Sequence, residues 1–61
     1  MTEREAIAVL FGVSYEEAAR YDGCECDLTD EDYDEFERIR NCKAKHVFYN
    51  GVEFVQIDEN S

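Results

Sequence analysis

Asn50-Gly51 constrains this chain more than any other pair of residues. A two-residue turn that suits the right-handed twist of paired strands needs positive φ at both central positions. Asn followed by Gly meets that need at the least steric cost. The residues on either side alternate, so the dipeptide predicts a hairpin with strands over 43–49 and 52–58. The turn also sets the register, with Tyr49 opposite Val52, Phe48 opposite Glu53, Val47 opposite Phe54 and His46 opposite Val55. One face then carries Val47, Tyr49, Val52 and Phe54. The other carries Ala44, His46, Phe48, Val55 and Ile57. Both are largely apolar, whereas a half-solvated hairpin shows one polar face. Either short helices wrap both sides, or one face is covered by another protein chain.

Three hydroxyl caps punctuate the chain before the hairpin. Thr2 with Glu5 has capping-box spacing and predicts a helix over 3–11, with Ile7, Leu10 and Phe11 on one face. Gly12 closes it, being free to enter the left-handed region. Ser14 with Glu17 repeats the box, and Val13 and Ala18 stand at the staple positions around a second helix over 15–21. Asp22-Gly23 ends that helix, and 24–28 reads as a loop. Thr29 caps a third helix over 30–41, with Leu28 and Tyr33 as its staple. Its spacing turns Tyr33, Phe36 and Arg40 inward, with Ile39 flanking. The order is helix, helix, helix, hairpin: a single small α+β domain over 1–61. At this length folding buries only about 60% of the chain's surface, so the domain gains from a staple or a partner.

Sixteen Asp and Glu face six Lys and Arg, a formal net charge of −10. Such a chain has little to offer DNA or RNA, whose phosphates supply most binding affinity, and little to offer an anionic membrane. With 44% hydrophobic residues it is not composed like a disordered acidic tail. The longest apolar run, Ala6 to Val13, is far short of the roughly 20 residues that span a bilayer. The acidic start Thr2-Glu3-Arg4-Glu5 is unlike a secretory leader. Three cysteines are an odd number, and Cys24 and Cys26 are too close to pair comfortably, so the expectation is a reduced, cytoplasmic protein. No catalytic motif is present, and no cofactor is implied.

Cys24, Cys26, Cys42 and His46 form a C-x-C…C-x3-H set whose donors suit Zn²⁺. The one-residue gap is tighter than the C-x2-C of familiar zinc sites, and His46 would have to leave its strand face. The plainer reading makes the thiols small apolar residues and His46 a core-edge imidazole with a hydrogen-bond partner. No metal ligand is assigned.

The stretch Ala8-Val9-Leu10-Phe11-Gly12-Val13-Ser14-Tyr15-Glu16-Glu17-Ala18-Ala19-Arg20 resembles the helix-turn-helix of lactose-repressor-type regulators. The resemblance implies a helix–Gly–capped-helix corner and, in that family, a second helix that enters the major groove. Here that helix would begin Tyr15-Glu16-Glu17, where paired carboxylates repel phosphates more than they read bases.

Nine acids and no base lie between Asp22 and Glu37. Acids in the first turn of a helix favour its dipole, Arg38 and Arg40 suit the opposite end, and Asp34 with Arg38 is a favourable i,i+4 pair. Asp30 with Asp34 and Glu31 with Glu35 are unfavourable like-charge pairs, so helix stability alone does not account for the pattern. Carboxylates about 6 Å apart along a helix present a charge row like the phosphate backbone. In size, charge, reduced cysteines and lack of catalysis the chain resembles the small acidic inhibitors of phages and mobile elements, the anti-CRISPR and antirestriction proteins. That resemblance implies a non-enzymatic inhibitor that blocks the basic surface of a nucleic-acid-binding host protein. It implies no direct contact with nucleic acid or membrane. The residues expected to carry this role are Asp27, Asp30, Glu31, Asp34 and Glu35, with Glu16 and Glu17 as an extension. The face of Val47, Tyr49, Val52 and Phe54 is the candidate homodimer or partner surface. The alternatives are a regulator or adaptor built on a helix-turn-helix scaffold, or a zinc-stapled interaction module.

Overall fold

The computed structural model describes residues 1–21 and 28–59. Its elements are α1 (Glu3–Phe11), α2 (Tyr15–Ala18) running into a 3-10 turn (Ala19–Tyr21), α3 (Asp30–Arg40), β1 (Ala44–Tyr49) and β2 (Val52–Ile57). The strands form one antiparallel pair, so the architecture is three helices followed by a C-terminal hairpin.

Each predicted cap forms as the residue types require. Thr2 Oγ1 accepts from the Glu5 amide at 3.2 Å while Glu5 Oε1 accepts from the Thr2 amide at 2.8 Å, a complete capping box. Ser14 Oγ accepts from the Glu17 amide at 3.1 Å, and Thr29 Oγ1 from the Asp32 amide at 3.2 Å. Gly12 closes α1 at φ 69°, and Val13 N donates back to the Ala8 carbonyl at 3.2 Å. The C-terminal end of α3 is closed from a distance. The α-amino group of Met1 donates to the carbonyls of Arg40 and Cys42 at 2.7 and 2.8 Å, supplying a partner to the last helical carbonyl and to one just past the cap.

Asn50 and Gly51 take φ 54° and 77°, as the two-residue turn demands. The register is Tyr49 with Val52 through Ala44 with Ile57, and Asp58 N still donates to the Lys43 carbonyl at 2.9 Å beyond the last ladder pair.

The core is Ala6, Ile7, Ala8, Ala18, Phe36, Ile39 and Val55. α1 supplies three of these and packs on α2, on α3 and on β2. Ala6 and Ala18 are wholly buried; with so little side chain they let neighbouring backbones approach closely. Ile7 and Phe36 are the largest fully buried side chains.

The inward stripe of α3 differs from the one its sequence suggested. Phe36 and Ile39 are buried, whereas Tyr33 is 45% exposed and Arg40 lies at the surface. Only the C-terminal half of the helix reaches the core. Ile39 is thus a core residue rather than a flanking one, and Arg40 pairs with carboxylates instead of packing inward. Ile39→Ala is expected to cost about 3 kcal/mol, enough to depopulate a domain this small, and Ile39→Val about 1 kcal/mol. Arg40→Ala is expected to cost less than about 1 kcal/mol. Urea unfolding of the three variants measures the ranking.

Candidate functional site

Thr29 starts α3 so that Asp30, Glu31 and Asp32 occupy its first turn, where carboxylates face unpaired amides and the positive end of the dipole. At about 100° per residue, burial of Phe36 and Ile39 turns Asp30, Glu31 and Asp34 outward. All three, with Asp32, are exposed, and none enters an ion pair among the described residues.

The second half of the helix is different. Arg38 pairs with Glu35, one turn back, rather than with Asp34 as the sequence suggested. Arg40 lies 3.7 Å from Glu37 and 4.0 Å from Glu3. Glu35 is therefore neutralised by the chain itself and drops out of the uncompensated set. Asp27 lies outside the described residues. Glu16 and Glu17 are exposed on α2, where they line a shallow groove of about 300 Å³ with Ser14 and Arg20. They sit on an element that packs against α1 and β2, and do not continue the α3 row.

Among the described residues the hairpin is covered on one side only. Val55 is buried in the core, with Ala44 and Ile57 packed around it. Phe48, assigned to the same face, is 73% exposed and lines a shallow groove with Arg4, Tyr15 and Glu16. On the opposite face Tyr49 is 70% and Val52 43% exposed, while Val47 and Phe54 are half-buried as a cross-strand pair outside the core cluster. The Cα trace measures 32 × 27 × 14 Å, and its thin direction leaves room for one helical layer against the sheet but not two. The described helices do not wrap both sides.

The helix–Gly–helix corner at Gly12 and Ser14 is present, but its second helix is four residues long and tightens into the 3-10 turn. Of the thiol and imidazole set, Cys24 and Cys26 lie outside the described residues. Cys42 Sγ donates to the Arg38 carbonyl at 3.4 Å. Among the described residues no group of three or more His, Cys, Asp or Glu is arranged to hold a metal ion, and no helix is long and apolar enough to cross a membrane.

His46 has the hydrogen-bond partner its sequence suggested, but as two carboxylates that sequence reasoning did not name. Its Nε2 lies 2.5 Å from Glu5 Oε2 and its Nδ1 2.6 Å from Glu53 Oε2, with the Tyr15 ring edge-on at a centroid distance of 5.2 Å. A neutral imidazole has one N–H and can satisfy only one of these carboxylates. The imidazolium donates to both. Glu53 stands beside His46 on the neighbouring strand, next to its direct partner Val55, but Glu5 is 41 residues away. The cation therefore clamps the hairpin to the start of α1. Glu5 holds the His46 proton most strongly, Glu53 next, and the imidazole's pKa rises above its ordinary 6.5. Glu5 is pushed below its ordinary 4.5, first by the Thr2 amide and also by His46, against the opposing effect of its own partial burial.

No protein-family model, curated protein or solved structure matches the chain. Function is thus argued from geometry and charge. The clamp sets a pH window. A raised histidine contributes stability in full below about pH 6.5 and loses it as pH rises through the higher folded value. A depressed carboxylate contributes above its unfolded value and loses that as pH falls through the folded one. Unfolding free energy is expected to be highest in mildly acidic solution and to decline into the alkaline range. His46→Gln flattens the alkaline decline, as urea titrations at stepped pH will show, and the imidazole proton resonances should titrate above pH 6.5.

Proposed function

We propose that this chain is a non-enzymatic acidic ligand for the basic, nucleic-acid-binding surface of another protein. In this reading it occupies the place of the polyanion, as anti-CRISPR and antirestriction inhibitors do. The observation that carries the proposal is the group Asp30, Glu31, Asp32 and Asp34: four exposed carboxylates in one and a half turns, with no cation paired to them among the described residues. The arginines near the other end of the same helix pair instead with Glu35 and Glu37 of α3 and with Glu3 of α1.

Interspersed charges would keep so small a domain soluble without like-charge crowding. Crowding them costs a few tenths of a kcal/mol per pair and is offset where the field has a partner. In a basic groove the carboxylates would take the phosphate positions, and long-range attraction would raise association rates by about 10- to 1,000-fold at low salt. The reading places the protein in the cytoplasm with its target and assigns it no cofactor, no chemistry and no direct contact with nucleic acid.

The test is affinity capture with the tagged chain at low salt, identification of the retained protein, and competition by duplex DNA. The expected partner binds nucleic acid, is displaced by the duplex, and dissociates steeply as salt rises. Glu31→Lys with Asp34→Lys should abolish capture while leaving the fold intact, because both side chains are exposed and neither enters an ion pair among the described residues. Glu35→Gln should have a smaller effect. Capture that survives the double reversal, or that ignores both salt and DNA, overturns the proposal.

A further inference from the structure

We propose that the outer face of the hairpin is where a second copy of this chain packs. The face is the cross-strand ladder Lys45–Gln56, Val47–Phe54 and Tyr49–Val52. In a chain with sixteen carboxylates it carries none, and its single charge is the cation of Lys45. That composition decides between occupants. A basic partner gains nothing from a face without acids and is drawn to α3 instead. A second copy is itself strongly anionic, and this ladder is a surface on which two copies can meet without bringing carboxylates together.

A sheet packed face to face on its symmetry mate sits about 10 Å away with strands nearly aligned. The two-fold would set one copy's Val47, Phe54, Tyr49 and Val52 against the same residues of the other, an isologous contact. It would also give the thin molecule the second layer that its own helices do not supply. The face is two strands wide and about 20 Å long, less than the about 800 Å² per partner of a standard interface. The association is accordingly weak, with a dissociation constant on the order of 10–100 μM.

Salt acts on this contact in the direction opposite to its effect on the proposed basic partner. At about 0.01 M salt the screening length is about 30 Å, so the whole net charge of each copy repels the other. At about 0.15 M it is about 8 Å, and only charges near the contact are felt. The acid-poor ladder then associates freely.

Sedimentation equilibrium from about 10 μM to about 1 mM protein, at low and at high salt, tests this. A monomer–dimer equilibrium that strengthens with salt is expected. Tyr49→Ser with Val52→Ser should weaken it about tenfold or more without changing the net charge. Both side chains are exposed beside the turn, and circular dichroism checks that the variant is folded. Glu31→Lys with Asp34→Lys should leave the dimer intact or tighten it, so failure of the acidic-ligand reading is separable from failure of this one. A chain monomeric at the highest concentration in high salt overturns the proposal. So does a dimer that the Ser variant leaves unchanged.

Discussion

Burial of the Ala6–Ile7–Ala8 step of α1 is the constraint on which the rest of the molecule depends. So short a chain can enclose one helix and little more, and α1 is the element that α2, α3 and β2 all touch. Two wholly buried alanines, Ala6 and Ala18, leave room for Ile7 and Phe36, the only large side chains lost entirely from solvent among the described residues. Two consequences follow from having a single central helix. α3 commits only Phe36 and Ile39 to the core, so its first turns stand free to carry charge. The hairpin commits one face, so its other face stays apolar and uncovered.

Much of this was legible in local chemistry. Thr2, Ser14 and Thr29 each precede a helix and cap it, and Asn50-Gly51 fixes turn and register together. These signals act within a few residues and need no knowledge of the fold. The inward face of α3 was not legible in the same way. Tyr33, Phe36 and Arg40 fit a helical stripe as well as Phe36 and Ile39 do, and the choice depends on how far α1 extends alongside. Arg38 could reach either Asp34 or Glu35, since both spacings bring side chains together on a helix. The doubly apolar hairpin posed its question in the sequence, but only the packed fold answers it, with Val55 buried and Ala44 and Ile57 packed around it.

Along α3 the charges run from acid to base. Acids at its start interact favourably with the dipole, and arginines near its end both suit the dipole and neutralise their neighbours. On α3 the carboxylates without an ion pair among the described residues are therefore those of the first turns, while the outer face of the hairpin holds no acid. One small domain thus presents two chemically opposed surfaces. On the two proposed readings salt would weaken attraction at the first and relieve repulsion at the second, so ionic strength would separate them.

Glu5 ties these parts together. One oxygen of its carboxylate completes the capping box of α1, and the other accepts from His46 on β1. Its side chain is only 14% exposed, so an interaction lost on either side is poorly replaced by water. Loosening the hairpin removes the cation that helps hold Glu5 ionised. Protonating Glu5 weakens the cap and the clamp in one event. The start of α1 and the docking of a hairpin some 41 residues away are thereby linked through a single side chain. That link could not be read from local spacing, because it exists only once β1 has been brought beside the start of α1.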